Sequence, residues 1–147
     1  MSCWSRKKVY KPCNDEHRKV VIVGDSDCGK SCLLQAIDGQ KWSDPYTRTF
    51  VDSYVVEKFI NEQKFELTLL DTNGSEEYDR LRPLSYPMTD IFIMCFAIDN
   101  PESFKNVSEK WLPECKHFCP LASIVLVGIC EITKYAACYT SHKPAIK

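Results

Sequence analysis

The chain has 147 residues and a formal net charge of −1, with acidic and basic residues interspersed. That length suits one domain around a single core, and the charge balance argues against general nucleic-acid binding. No stretch approaches the roughly 18 consecutive apolar residues of a membrane span and the N-terminus has no apolar signal core, so a soluble, cytoplasmic protein is expected.

Residues 1–16 are basic, cysteine-containing and aperiodic, and read as a flexible N-terminal extension. Val20-Val21-Ile22-Val23 reads as a buried strand, followed by Gly24-Asp25-Ser26-Asp27-Cys28-Gly29-Lys30-Ser31, a complete G-x-x-x-x-G-K-[ST] motif. Ser31-Cys32-Leu33-Leu34-Gln35-Ala36-Ile37 is the helix leaving that loop, and residues 38–49 are polar and irregular. Tyr54–Ile60 and Phe65–Leu70 have strand composition and are joined by a hairpin turn at Asn61-Glu62-Gln63-Lys64. Ile91–Ile98 and Ile124–Val127 are continuous apolar runs that suit strands buried on both faces. Between them Ser103 to Phe118 carries a helical stripe of Phe104, Val107, Trp111 and Cys115. Alternating strand and helix signals predict an α/β fold with a mostly parallel central sheet flanked by helices.

The glycine-rich loop explains the chemistry. Its glycines let the backbone wrap an anion, and N–H groups at the helix N-terminus point at phosphates. Lys30 supplies a point charge to the outer phosphates and the Ser31 hydroxyl is placed to ligate Mg²⁺. Asp71-Thr72-Asn73-Gly74 follows the strand Phe65–Leu70. There Asp71 can hold the metal through water and the Gly74 N–H can reach a γ-phosphate. Asp27 adds a carboxylate beside the phosphate position, which weakens binding unless it faces solvent. Nine cysteines, two of them inside the loop–helix unit and without a secretory signal, read as reduced thiols.

Several segments resemble Rho-type small GTPases of the Ras superfamily. These are Tyr78-Asp79-Arg80-Leu81-Arg82-Pro83-Leu84-Ser85-Tyr86-Pro87, Glu109-Lys110-Trp111, Lys116-His117-Phe118-Cys119-Pro120, and the phosphate loop with Cys28 and Cys32-Leu33-Leu34. The similarity runs from about Lys19 to Gly128. It implies the small-GTPase form of the P-loop NTPase fold and a switch that binds GTP or GDP with Mg²⁺. By the same resemblance Gly24, Asp25, Ser26, Asp27, Cys28, Gly29, Lys30, Ser31, Cys32, Trp42, Thr49, Asp71 and Gly74 line the nucleotide. Thr49 joins Ser31 and Asp71 around the metal, and Trp42 lies against the base. Thr49, Phe50, Val51, Asp52 and Tyr54 match the effector-contacting stretch, where Rho proteins usually read Thr-Val-Phe-Glu. The implied partners are effectors and regulators of Rho signalling to the actin cytoskeleton.

Four departures qualify that expectation. Ser26 replaces the loop glycine that leaves room for the hydrolytic transition state, and Ser75 replaces the glutamine that positions attacking water. Together they resemble the Rnd subgroup and predict slow GTP hydrolysis, the alternative being a Ser75 that merely hydrogen-bonds locally. Where the family reads Asn-Lys-x-Asp, this chain reads Ile129-Cys130-Glu131-Ile132. Losing the paired bonds to guanine should cost on the order of 3–6 kcal/mol, about two to four decades of affinity. Finally, only nineteen residues follow Gly128, so the family's last strand and final helix are expected to be missing. Ile129, Ile132, Ala136 and Tyr139 have the spacing of a short substitute helix. Lys143-Pro144-Ala145-Ile146-Lys147 carries no prenylation cysteine, whereas Cys3 and Trp4 with Arg6, Lys7, Lys8 and Lys11 offer a weak lipid-plus-basic anchor at the inner face of the plasma membrane. The expected organisation is an extension over 1–16, an incomplete Rho-like GTP-binding domain over 17–128 and a divergent tail over 129–147. Two further readings stay open: a pseudo-GTPase interaction module with little or no nucleotide binding, and a non-functional truncated product.

Overall fold

The structure, a computed structural model, describes residues 17–38 and 51–130. The N-terminal extension, the irregular stretch over 39–49, Trp42, Thr49, Phe50 and the tail over 131–147 lie outside the described residues.

Five strands form one sheet in the order β2-β3-β1-β4-β5: β1 (His17–Gly24), β2 (Val51–Ile60), β3 (Gln63–Thr72), β4 (Ile91–Ala97) and β5 (Ser123–Ile129). β1 runs parallel to both β3 and β4, β4 runs parallel to β5, and only the β2–β3 pair is antiparallel. Side chains alternate across a strand, so the apolar run of β1 feeds two cores. Val20 and Ile22 face the helix α1 (Lys30–Asp38) and pack with Leu34, Val56, Leu69 and Cys95. Val21 and Val23 face the opposite side and pack with Tyr86, Phe92, Met94, Trp111 and Cys115. The α/β sandwich expected from the alternation of signals is therefore present.

Several boundaries differ from the sequence reading, each for a local reason. The hairpin turn is two residues, not four: Asn61 and Glu62 both take positive φ, 50° and 67°, while Gln63 and Lys64 already pair with Ile60 and Phe59. This is a turn whose backbone twist matches that of the strands it joins, and the polar composition of Gln63-Lys64 hid the pairing. β3 runs on to Thr72, so Asp71 lies within the strand rather than after it. β5 is not buried on both faces, since Val125 and Leu126 are about half exposed, as befits the edge position of the strand. It also includes Gly128 and Ile129, so Ile129 is strand and not the start of a substitute helix.

The helical segment is broken in a way its composition hides. α2 (Pro101–Asn106) is followed by a π turn (Val107–Trp111) and then by α3 (Leu112–Phe118). Pro113 has no N–H to donate back into the preceding turn, and the ladder widens just before it, with Leu112 N–H reaching Val107 O. The inserted residue rotates the helix face. Trp111 and Cys115 are fully buried as expected, but Phe104 is 54% exposed and Ser103 is buried in its place. Ser103 Oγ accepts from Ala97 N–H at 2.9 Å and donates to Asn100 O at 2.8 Å. Asn100 caps α2 through its side-chain oxygen.

Candidate functional site

β1 delivers the phosphate-loop motif at the C-terminal end of the parallel strands, where an open α/β sheet presents a crevice. Gly24 takes φ +149°, and a Cβ there would collide with the Cys95 carbonyl group, so the chain can leave the strand only through glycine. The loop then runs to α1, whose first turn closes with Leu33 N–H on Gly29 O at 3.0 Å. Lys30 is buried and folded back over the loop, its Nζ donating to Asp25 O at 2.5 Å and lying 3.9 Å from Cys28 Sγ. The ammonium is thus held against the backbone of its own loop.

Ser31 Oγ donates to Asp71 Oδ2 at 2.5 Å across 40 residues of chain. Thr72 locks the end of β3 onto β1 through its hydroxyl on Ile22 O at 2.6 Å. Gly74 then backs directly onto the phosphate loop; a Cβ on it would lie 2.6 Å from Asp25 C and Ser26 N, so no other residue fits. Sequence thus separates the two motifs and the sheet joins them. An alkoxyl and a carboxylate oxygen brought together in this way are hard donors that suit a divalent cation of the Mg²⁺ type. With Lys30 beside them, the pair is chemically able to hold a metal–polyphosphate.

The other named residues distribute unevenly. Ser26 and Asp27 are exposed on the loop, and Asp27 takes φ 60°, a left-handed conformation that aspartate tolerates better than most residues. The Asp25 carboxylate accepts from Trp111 Nε1 at 2.7 Å and from Asn106 Nδ2 at 2.8 Å, so its side chain binds the helical segment while its backbone forms part of the loop. Cys28 is in the core, donating to Cys95 O at 3.6 Å; burial pushes its thiol pKa up against the opposing pull of Lys30. Cys32 is half-buried, and burial raises its thiol pKa as well. Both thiols stay protonated at neutral pH, and the six described cysteines are all free. Cys115 is core and Cys119 Sγ donates to Tyr86 O at 3.2 Å. Ser75 opens a short 3₁₀ turn (Glu76–Tyr78), and its N–H donates to Asn73 Oδ1 at 2.8 Å, whereas its hydroxyl makes no capping bond.

At the start of β2, Val51 and Asp52 are exposed, while Tyr54 is half-buried and packs on the α1-side core. Beside them a cavity of about 160 Å³ is lined by Val51, Thr72, Asn73, Tyr78, Leu81, Arg82 and Leu84. Leu81 and Leu84 are among the exposed apolar residues at its rim. On the base side, Ile129 packs against the phosphate loop: its Cγ2 lies 2.8 Å from the position a Gly29 Cβ would take. The first residue of the altered base motif therefore offers the loop a methyl group in place of a polar side chain. Glu131 and Ile132 lie outside the described residues.

Sequence reasoning missed Arg82, Glu114, Asn106 and the polar side of Trp111. Arg82 is buried, with Nε and Nη2 each 3.0 Å from a Glu114 oxygen, Nη2 also 2.5 Å from Asp79 Oδ1, and Nη1 donating to Asn73 O at 2.9 Å. Burial works against its charge, yet the bonds from Glu114 and Asp79 outweigh it and hold the guanidinium pKa above its ordinary value. Burial also raises Tyr86, helped by its bond to Glu114, and keeps the phenol protonated. The available signal was Trp111 itself, since a tryptophan placed in a core needs an acceptor for its N–H.

A parallel α/β sheet with a lysine-bearing phosphate loop at its C-terminal rim, facing an Asp-x-x-Gly loop from the neighbouring strand, defines a small-GTPase domain. A Ras-family profile matches residues 19–136, most of the chain, and the chain belongs to the Ras family. Proteins of this family bind GTP and GDP with Mg²⁺ and act as switches through effectors and regulators.

Proposed function

We propose that this chain is a Rho-type signalling switch that binds GTP or GDP with Mg²⁺ and hydrolyses GTP slowly. The observation that carries the reading is the contact between Ser31 Oγ and Asp71 Oδ2, made beside the buried Lys30 and against Gly74. Ser31 and Asp71, with Thr49, would hold Mg²⁺, which supplies charge neutralisation for the phosphates. The loop amides from Asp25 to Lys30 bind the polyphosphate, Lys30 neutralises its outer charge, and Gly74 N–H marks the third phosphate. Ser26 narrows the space beside that phosphate, and Ser75 has neither the length nor the amide to hold a water in line. The chain would therefore persist in its GTP-bound state and present Val51, Asp52 and the cavity rim at Leu81 and Leu84 to effectors of cytoskeletal signalling. Its working location would be the cytoplasm or the inner face of the plasma membrane.

Nucleotide extracted from the purified full-length chain and identified by chromatography tests the reading. Guanine nucleotide should be retained, EDTA should release it, and Lys30→Ala should come out empty. Nucleotide-free wild type that takes up neither fluorescent GTP nor GDP would overturn it. A second reading, a pseudo-GTPase interaction module with little or no nucleotide binding, is favoured by Ile129, whose side chain packs on Gly29 where the family has an asparagine. Nucleotide retained by the purified chain separates the two, and competition between GTP and ATP reads how much base selectivity remains. The expected preference for GTP is about two to four decades smaller than an intact guanine site gives, and a preference of the full size would mean that residues after Cys130 rebuild the base contacts.

A further inference from the structure

Trp111 stands at the end of the π turn, fully buried, and is used on two sides. Its N–H donates to Asp25 Oδ1 at 2.7 Å, and its ring face carries the Arg82 guanidinium, whose Cζ lies 4.5 Å from the ring centroid. Asp25 is the second residue of the phosphate loop, and Asn106 holds its other oxygen. Arg82 in turn donates to Asn73 O at 2.9 Å, the carbonyl just before Gly74, while Glu114 and Asp79 neutralise it. Gly74 backs onto Gly24, Asp25 and Ser26. The contacts form a closed ring from the phosphate loop through Asp25, Trp111, Arg82 and Asn73 to Gly74 and back to the loop. Arg82 and Trp111 are buried, so opening one joint leaves a desolvated donor or charge without compensation, and the joints support one another.

We infer that Trp111 and Arg82 are positioning residues that make the phosphate loop and the Asp71–Gly74 loop one cooperative unit, so that a disturbance of either loop is felt in the other through the indole. The inference rests on the proposed function only for its purpose, the transmission of phosphate occupancy to the segment that follows Gly74. The coupling itself belongs to the protein without nucleotide. It also accounts for the π turn, which rotates Trp111 into register with Asp25 while Val107 and Cys115 stay against the sheet.

Hydrogen exchange of the full-length, nucleotide-free chain, read by mass spectrometry, tests it. Asp25→Ala removes the carboxylate that bonds Trp111 and Asn106, and should speed exchange across residues 73–82 roughly tenfold or more, the consequence of losing a buried hydrogen bond from a shared unit. Arg82→Met should do the same to residues 24–30. Trp111→Phe keeps a ring under Arg82 but removes the N–H donor; it should loosen both loops and guards against a larger change that fails to fold. Phe104→Ala, exposed and outside the ring, should loosen neither. Faster exchange confined to each variant's own loop would overturn the inference. Where GTP binds, release rates for Asp25→Ala, Arg82→Met and the double variant form a cycle, and multiplicative rather than saturating effects would also count against coupling. Absence of nucleotide binding would sink the proposed function while the exchange measurement still decided this one.

Discussion

Ser26 and Ser75 carry the smallest changes with the largest expected consequence. Ser26 is exposed on the phosphate loop, and the Ser75 hydroxyl makes no capping bond, so neither side chain is needed to build the local fold. Reversion of both, Ser26→Gly with Ser75→Gln, should therefore leave stability nearly unchanged and raise the single-turnover GTP hydrolysis rate. The two positions serve one transition state and need not act additively, so the pair is measured together by phosphate release from preloaded protein. Fast hydrolysis by the wild type would defeat the slow-switch reading. A double variant that binds GTP well yet stays slow would move the defect elsewhere. Asp25 makes the opposite point at the same scale. It sits inside a phosphate-binding motif, but its carboxylate is spent on Trp111 and Asn106.

Among the elements, the broken helix over 101–118 is where periodicity misleads. Phe104 and Trp111 are seven residues apart and share a face in a regular α-helix, but the π turn between them adds a residue and turns Phe104 outward. Phe104 retains an edge contact with Phe96, with ring centroids 4.9 Å apart. Phe104→Ala should then cost about 1 kcal/mol, the scale of one aromatic pair. Trp111→Ala should cost roughly 3–5 kcal/mol through the cavity it leaves. Urea unfolding of the two variants decides the matter, and similar losses for both would mean that the straight-helix reading was right. Most of the sheet was legible because continuous apolar runs such as Val20–Val23 and Ile91–Ala97 have no other stable placement. The ends were not, because Gln63, Lys64, Gly128 and Ile129 owe their pairing to the neighbouring strand rather than to their own composition.

For the whole molecule, the buried thiols set a pH dependence. Burial pushes Cys95 and Cys115 up to about 12, and Tyr86 is raised as well. In the unfolded chain a thiol loses its proton near its ordinary pKa of 9.0 while the folded chain keeps it. The unfolded state then binds fewer protons, so stability is fully present below pH 9 and is lost as pH rises toward 12, by about 1.4 kcal/mol per pH unit for each such thiol. Urea midpoints should fall steadily from pH 9 to pH 11, and Cys95→Ala should flatten that slope; a midpoint independent of pH over this range would contradict the burial of both groups.

By itself the sequence determined the class of fold and the identity of the phosphate-binding machinery. A G-x-x-x-x-G-K-[ST] motif between a strand and a helix dictates a local backbone form, and alternating apolar runs dictate a two-sided sheet. It also exposed the departures at Ser26, Ser75 and the base loop, which are matters of residue identity. Only the tertiary structure decided what each carboxylate and cation does. Asp25 and Asp71 are alike in sequence, each coming at the end of an apolar run, yet one meets a helix and the other meets Ser31. The partners of Arg82 lie at Asn73, Asp79 and Glu114, and those of Asp25 at Asn106 and Trp111. Such pairings arise from the crossing of elements over the sheet and have no local periodicity to betray them, because side-chain electrostatics act through space rather than along the chain.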